Sequence, residues 1–394
     1  MKYFLWWLLK ENVFVNYLYR NIFNRYFTPK PHNDSSSLQS DIIDKEWVLN
    51  NNFKKPIWAI KGYTSGTTNQ PLTVYRSLSS ILLEEYLVKS YFKLMGAPLR
   101  PRIAIIRGDS ICLSTQTEAP FWVKKPFTGR LVMSSFHISE RTALAYFSAL
   151  EEYKPHIILA YPSSIVLLSK LAKKLNWSPN WDLKGVLTSS EQFSSDNQKI
   201  SRSVFGHIYD HYGQAERVAA LQQCNAGHYH VREDYSNVEF IQDEHGIKIV
   251  GSNLHNRAMP LKRYDTNDYV EGLCIDTPCQ CGDSSPYVTK ILGRDDDYVL
   301  LPDGRHIGRL DVAFKGITGL IECQIEQASL QLIIIRYVPE SGSDRVMTQE
   351  AIEANLRQLL GDDLTFTFKV VERVPRTKAG KFRSVIRNKD IVCI

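Results

Sequence analysis

The chain has 394 residues, 43% of them hydrophobic and 23% charged, a length that suggests two globular domains and a composition that excludes a disordered chain. Its formal net charge of +6 is spread without a run of five or six like charges, which gives nucleic-acid binding no support and offers only mild attraction to anionic substrates or anionic lipid.

The apolar run Tyr3–Leu9 meets Lys10, Glu11 and Asn12 at once. It is too short to span a membrane and lacks a small-residue cleavage site, so a cytoplasmic protein is expected. Aromatics interleaved with Lys10, Arg20 and Arg25 predict an amphipathic helix within Met1–Phe27. Packing on the protein's own core is the preferred reading, with the inner face of a membrane or a partner surface as the alternative. The Pro-, Asn-, Asp- and Ser-rich stretch Pro29–Ser40 reads as a tether. A helix over Asp41–Leu49 follows, with Ser40 or Asp41 available as its cap.

Next comes a turn between two short strands, Trp58–Ile60 and Leu72–Tyr75. The turn Tyr63-Thr64-Ser65-Gly66-Thr67-Thr68-Asn69-Gln70-Pro71 gathers four hydroxyl side chains around a glycine. Gly66 permits a backbone with exposed N–H groups, and the hydroxyls of Thr64, Ser65, Thr67 and Thr68 add donors able to wrap a polyphosphate. A Ser/Thr-rich hairpin without a ligand is the alternative. A Walker loop is ruled out, because no Gly-Lys-Ser/Thr follows.

A helix is predicted over Ser77–Leu94 and a buried strand over Arg102–Gly108. The pattern repeats with Gly129–Ser139 as a strand leading to a helix capped near Ser139, with the strand in His156–Ser164, and with Gly185–Glu191. Such strand–helix units build layered α/β domains, in which ligands gather beyond the carboxyl ends of strands. The small polar residues Ser134–His137, Tyr161–Ser164 and Thr188–Ser190 fall at three such ends and mark one expected pocket, although each alone is an ordinary cap.

In Ile208–Glu216 an aromatic followed by glycine can stack on a purine while the chain turns, and Glu216 can hold a divalent cation bridging phosphates. Seven cysteines, odd in number and irregularly spaced, argue against a secreted disulfide framework. Cys279 and Cys281 put two thiolates on one turn, and Cys224 with His228 and His230 supplies soft ligands on another. Any four of these five make one ligand set. It would close a tetrahedral structural Zn²⁺ site. Reduced buried cysteines beside a surface histidine pair are the alternative.

The hydroxyl-rich turn resembles the phosphate loop of the acyl-adenylate-forming enzymes, Thr-Ser-Gly-Thr-Thr-Gly-Lys-Pro, and departs from it at Asn69 and Gln70. The runs Ser-Ser-Phe-His-Ile-Ser at Ser134, Ala-Tyr-Pro-Ser-Ser at Ala160 and Thr-Ser-Ser-Glu at Thr188 resemble the phenylacetate-CoA ligase-like branch found among capsular and other surface-polysaccharide genes. Tyr212-Gly213-Gln214-Ala215-Glu216 is similar to the superfamily's Tyr-Gly-x-Thr-Glu. Asp268 stands where an Asp binds both ribose hydroxyls, after Asn267 in place of Gly. Leu292–Tyr298 is similar to the hinge Gly-Arg-x-Asp-Asp, with Asp296 at the hinge, and Pro375–Lys381 to the closing loop Pro-Arg-Thr-x-x-Gly-Lys. These motifs keep the family's order over nearly the whole chain. Similar Cys and His elements hold structural zinc in several phenylacetate-CoA ligase-like proteins, and the set this resemblance implies is Cys224, His230, Cys279 and Cys281, with His228 as substitute.

The resemblance implies a nucleotide site made of Thr64, Ser65, Gly66, Thr67, Thr68, Ser190, Glu191, Asp210, His211, Tyr212, Gly213, Gln214, Glu216, Asp268, Arg294 and Lys381. Lys381, Glu216 and Thr64 would be catalytic, and Glu216 would bind Mg²⁺. The implied fold is α/β: an aromatic segment and linker (1–40), a large ATP- and acid-binding domain of layered sheets and helices (41–295) and a small mobile α+β lid (296–394). The implied activity is AMP-forming ligation of a small carboxylic acid through an acyl-adenylate, with ATP, Mg²⁺ and CoA or a carrier-protein thiol. An amine or hydroxyl acceptor on a sugar, or a non-catalytic adenylate-binding or membrane-associated assembly protein, is the alternative.

Overall fold

The computed structural model describes residues 41–394 apart from 52, 65–71, 110, 114, 295–297, 308–309, 315–316, 378–379, 389–390 and 392–394. The expected aromatic helix and tether, most of the hydroxyl-rich turn and Asp296 therefore lie outside the described residues.

The first helix, α1 (Lys45–Asn50), is shorter than expected and is capped by Asp44, whose carboxylate accepts from Trp47 N at 2.7 Å. Asp41 loses that role because the chain between it and the helix pairs elsewhere: Ile43 bridges to the Arg263–Asp265 stretch through two backbone bonds, while Ser40 lies outside the described residues. The hairpin strands are β1 (Ile60–Tyr63) and β2 (Thr73–Arg76), so the first strand begins where the expected one ends. Trp58 lies in an exposed turn ahead of it. The helix α2 (Leu78–Leu94) covers the expected stretch, with Ser77 as its N-cap rather than its first residue. It buries Leu83, Leu87 and Tyr91, each contributing about 1.5–3 kcal/mol through apolar burial.

The strands β3 (Ile103–Arg107), β4 (Trp122–Lys124), β5 (Leu131–Ser134), β6 (Ile157–Ala160), β7 (Gly185–Ser189), β8 (Ile208–Gly213), β9 (Ala220–Gln223), β10 (Tyr229–Val231) and β14 (Tyr287–Val288) form a nine-stranded sheet. Its order is β14-β10-β9-β8-β7-β6-β3-β5-β4. The run β5-β3-β6-β7-β8 is parallel, and antiparallel strands finish both edges. Near-continuous apolar runs such as Ile157–Ala160 suit central strands covered on both faces. The helices α3 (Ala143–Tyr153), α4 (Pro162–Lys174) and α5 (Ser195–Phe205) supply the main core with Tyr146, Phe147, Leu168 and Leu171. The helix after β5 starts on Thr142 rather than near Ser139, because a 3₁₀ turn over Ser135–His137 intervenes. Ser139 and Thr142 remain hydroxyl partners.

An antiparallel sheet of β11 (Ser236–Asp243), β12 (Gly246–Asn253), β13 (Tyr264–Glu271) and β15 (Lys290–Arg294) follows. Beyond it, β18 (Leu320–Gln327), β19 (Leu332–Pro339), β20 (Thr365–Val370) and β21 (Val385–Arg387) form a sheet of order β20-β19-β18-β21. The helix α6 (Arg345–Leu360) packs on this sheet with Ile352, Leu356 and Leu360, giving the C-terminal part its own core around Ile325, Ile333 and Ile335. The chain is thus a mixed α/β protein of several sheets and helices.

Candidate functional site

Parallel pairing sets the carboxyl ends of β5, β3, β6 and β7 side by side, with Arg107 opposite Ser134 and Ala160 opposite Thr188. The three polar runs singled out in the sequence therefore meet, and a residue not assigned there joins them. Arg107 Nη2 donates to Ser189 Oγ at 3.1 Å, and its guanidinium lies 5.9 Å from the Tyr161 ring centroid. Burial lowers its pKa. As the last residue of an apolar strand it gave no sequence signal of its own; a cation at a strand end beside such runs was the available clue.

The members of the three runs divide by partner. His137 is stacked on Phe121 at 5.0 Å, its Nδ1 is 2.8 Å from Ser134 Oγ and its Nε2 is 3.1 Å from Leu113 O. Thr188 donates to the buried Asp210 at 2.6 Å, and Tyr229 donates to the other carboxylate oxygen at 3.0 Å. Burial raises the Asp210 pKa. Asp210 thus ties β7 to β8 and β10. His211 Nε2 lies 3.6 Å from Glu84 Oε1. Glu84 also receives Tyr235 OH at 3.0 Å and pairs with Arg217. Burial alone would raise Glu84, but Arg217 and His211 hold it well below the usual carboxylate range. Ser190 is exposed and takes a left-handed backbone, φ +78°.

Glu191 joins two distant parts of the chain. One oxygen accepts from Ser163 N at 2.9 Å, at the start of α4, and the other accepts from Phe382 N at 2.7 Å. Burial raises its pKa, opposed by those two N–H groups and by Arg376. The segment that carries Lys381 is in this way held over the strand ends. Gly380 has φ +76°, and a Cβ there would run into the Cα of Gly108 and lie 3.1 Å from Ser135 Oγ. A glycine is thus required both for the backbone and for the close approach. Thr377 closes the turn: its hydroxyl accepts from Lys381 N at 3.1 Å and its N–H donates to Lys381 O at 2.9 Å. The buried ion pair of Arg376 with Glu322, and the Arg376 guanidinium 4.9 Å from the Phe382 ring, anchor the loop to β18. Lys170 Nζ on α4 adds bonds to Leu320 O at 3.2 Å and Ile321 O at 2.5 Å.

On the other side, Tyr212 OH donates to Asp268 Oδ2 at 2.7 Å and accepts from Gln214 Nε2 at 2.6 Å. Burial and the Asp268 charge push the tyrosine pKa well above its ordinary value. Asp268 on β13 is the register partner of Arg294 on β15, so two motifs separated in sequence are adjacent on one ladder. Asn267, where the family has glycine, has φ +57°, and its N–H donates to Asp265 Oδ1 at 2.8 Å. Asparagine is among the side chains that tolerate this region, so the turn is kept. Glu216 is buried, and Tyr264 OH donates to it at 3.4 Å. Thr64 closes the hydroxyl-rich turn, its Oγ1 accepting from Leu72 N and its N–H donating to Leu72 O, both at 2.9 Å. Ser65, Gly66, Thr67 and Thr68 lie outside the described residues.

A separate cluster gathers Cys224, His230, Cys279 and Cys281, whose ligand atoms all lie within 4.8 Å of one another. Cys224 Sγ is 3.8 Å from Cys279 Sγ, and Cys281 Sγ is 3.4 Å from His230 Nε2. Zinc bond lengths in a tetrahedron require edges of about 3.8 Å between sulfurs and about 3.5 Å between sulfur and nitrogen, so the set fits such a cation. Behind it, His230 Nδ1 lies 3.3 Å from Ser285 O, the outer partner that a ligating histidine uses to fix its tautomer. His228 stacks on Tyr287 at 4.8 Å with Nδ1 3.2 Å from Cys279 Sγ, beside the four.

Comparison with known proteins agrees with this architecture. Residues 299–388 match a family model described as the CapK C-terminal domain. Protein CapK of Staphylococcus aureus is 21% identical over 344 residues, covering 85% of this chain and 76% of that protein. Among solved structures, 2-hydroxyisobutyryl-CoA ligase in the postadenylation state with an acyl-AMP has a TM-score of 0.63 at 16% identity, covering 89% of this chain and 80% of that one. The o-succinylbenzoate CoA synthetase of Bacillus subtilis with its acyl-adenylate intermediate has a TM-score of 0.50 at 13% identity, over 82% and 67% of the two chains. This chain has the fold of the acyl-adenylate-forming enzymes, with a C-terminal domain of the CapK kind.

Proposed function

We propose that this chain is an ATP-dependent, AMP-forming ligase of the phenylacetate-CoA ligase-like kind, which activates a small carboxylic acid as its acyl-adenylate and passes the acyl group to the thiol of CoA or a carrier protein. The observation that carries the proposal is the seating of Gly380 against Gly108 and Ser135, which brings the Lys381 loop to the strand ends of an adenylate-former fold.

In the first step a carboxylate oxygen attacks the α-phosphorus of ATP. The bond from that phosphorus to the bridging oxygen breaks, and pyrophosphate leaves with the electron pair. Lys381 offsets the charge that builds on the α-phosphate and carboxylate oxygens, from an arm that can withdraw afterwards. Thr64 with Ser65, Gly66, Thr67 and Thr68 wraps the outgoing phosphates. Tyr212, Gly213 and Gln214 line the adenine pocket, Asp268 takes the two ribose hydroxyls and Arg294 the ribose or phosphate. Bound Mg²⁺ supplies further charge neutralisation, and buried Glu216 is the residue proposed to hold it. In the second step the thiolate adds to the acyl carbon and AMP departs with the electrons of the broken acyl–oxygen bond. Asp210, whose carboxylate is taken by Thr188 and Tyr229, contributes through the backbone of its strand, and His211 follows it there with its ring 3.6 Å from Glu84 Oε1.

The Cys224, His230, Cys279 and Cys281 set is proposed to hold structural zinc, with all four positions taken by protein. A role in surface-polysaccharide biosynthesis is supported by the match to CapK and its C-terminal domain. A cytoplasmic location is part of the same proposal; among the described residues no helix is long and apolar enough to cross a membrane.

Acid-dependent ATP–pyrophosphate exchange over a panel of aryl, fatty, hydroxy and amino acids tests the reading. At least one acid is expected to raise exchange well above the acid-free rate. No stimulation by any class would overturn it.

A further inference from the structure

At the ends of β5, β3 and β6, three adjacent parallel strands, lie three buried polar atoms without a hydrogen-bond partner: Ser135 Oγ, Arg107 Nε and Ser163 Oγ. They are not scattered. Arg107 is opposite Ser134 in the ladder, Gly108 and Ser135 both face Gly380, and Ser163 stands two residues after the Tyr161 ring on which the guanidinium rests. The hydrogen bond that Arg107 does make is to a neutral hydroxyl, Ser189. Among the described residues no carboxylate lies within ion-pair distance of it; Asp109, Glu84 and Glu85 act on it from further away. Two other guanidinium groups of the chain are met by carboxylates, Arg217 by Glu84 and Arg376 by Glu322.

A half-buried cation with hydroxyl company and a buried, unused N–H is costly unless something brings anionic oxygen to it. A purely apolar acid seated here would leave all three donors unpaired. We infer that Arg107, Ser135 and Ser163 form a subsite for a second anionic oxygen group on the acid, so that the substrate is a dicarboxylic acid rather than an apolar monocarboxylic one. One carboxylate reacts beneath the Lys381 loop; the other is held by Arg107 through two N–H groups, with the serine hydroxyls donating to its remaining lone pairs. Arg107 is then a specificity-determining residue. This inference rests on the adenylation reading given above.

The test compares butanedioate with butanoate, and hexanedioate with hexanoate, in pyrophosphate exchange by the full chain. The dicarboxylate of at least one pair is expected to have a kcat/KM about tenfold or more above its monocarboxylate. In Arg107→Gln its kcat/KM should fall by about a hundredfold, at least ten times the loss for the monocarboxylate, because a site built around a polar group discriminates strongly against ligands that lack it. Ser163→Ala should reduce the preference about fivefold, and it serves if Arg107→Gln does not fold. A wild-type preference for the monocarboxylate in both pairs, or equal losses for the two acids in the variants, would overturn the subsite. If no acid supports exchange, the adenylation reading fails first, and calorimetric titration of the same dicarboxylates with AMP present decides the subsite separately. Binding weakened at least tenfold by Arg107→Gln, or by Ser163→Ala if that variant does not fold, upholds it; no binding to the wild type overturns it.

Discussion

The Cys/His cluster and the recess proposed at the strand ends both hold polar groups partly or wholly withdrawn from water, and they resolve that cost in opposite ways. In the cluster, four soft ligands converge to the spacing of a single cation, and Ser285 holds the outer nitrogen of His230. At the recess, Arg107, Ser135 and Ser163 each keep an atom unpaired, and the loop carrying Lys381 arrives from another sheet. A cluster that closes upon itself contributes to stability, whereas donors left open signal a ligand. On the proposed function, the contrast separates support from chemistry within one chain.

The strongest way to break the contrast is at the recess. Lys381→Ala should lower acid-dependent exchange by at least ~10²–10³-fold, the scale lost with a single charge-stabilising group, while ATP still binds by calorimetry. Full exchange in that variant would remove the lysine from the reaction. Glu191→Ala should lower exchange by about tenfold, because it deletes the acceptor that holds Phe382 N–H and Ser163 N–H together. Single-turnover rates should show the loss in adenylation; a loss confined to thiol transfer would contradict the docking role. At the cluster the sign reverses. Cys279→Ser or chelation should leave exchange within about twofold at a temperature where the protein is folded, and lower Tm by roughly 5–10 °C, read by scanning calorimetry. Metal analysis finding no zinc in gently purified protein would sink that site. The smallest effect is expected at Asn267. Replacing it by Ala, which tolerates φ > 0 less well, should cost about 1 kcal/mol in chemical denaturation, and Gly should restore it.

Much of this molecule can be read from local spacing. The alternation of apolar strands with capped helices gives the parallel sheet, since each element's pattern is internal to about ten residues. The cysteine and histidine positions narrowed the cluster to five residues because ligand chemistry restricts which side chains can share a centre, and resemblance favoured His230 over His228. Three features resisted. Arg107 looks like the end of an apolar strand, and only the parallel register shows what stands beside it. The bond from Phe382 to Glu191 spans 191 positions, and nothing local in either segment points to the other. The first helix starts after Asp44 because Ile43 pairs with a strand more than two hundred residues away, a tertiary contact that sets the cap later in the chain than expected. Motif resemblance brought Asp268 and Arg294 to the same nucleotide; their shared ladder position needed the fold.

The contact of Gly380 with Gly108 also makes the molecule sensitive to a single carbon atom. Any side chain at 380 becomes a shim between the C-terminal sheet and the large sheet, and an alanine there should prop the two apart while leaving the interior of each untouched. Such a variant would show how far acid-dependent exchange depends on that seating.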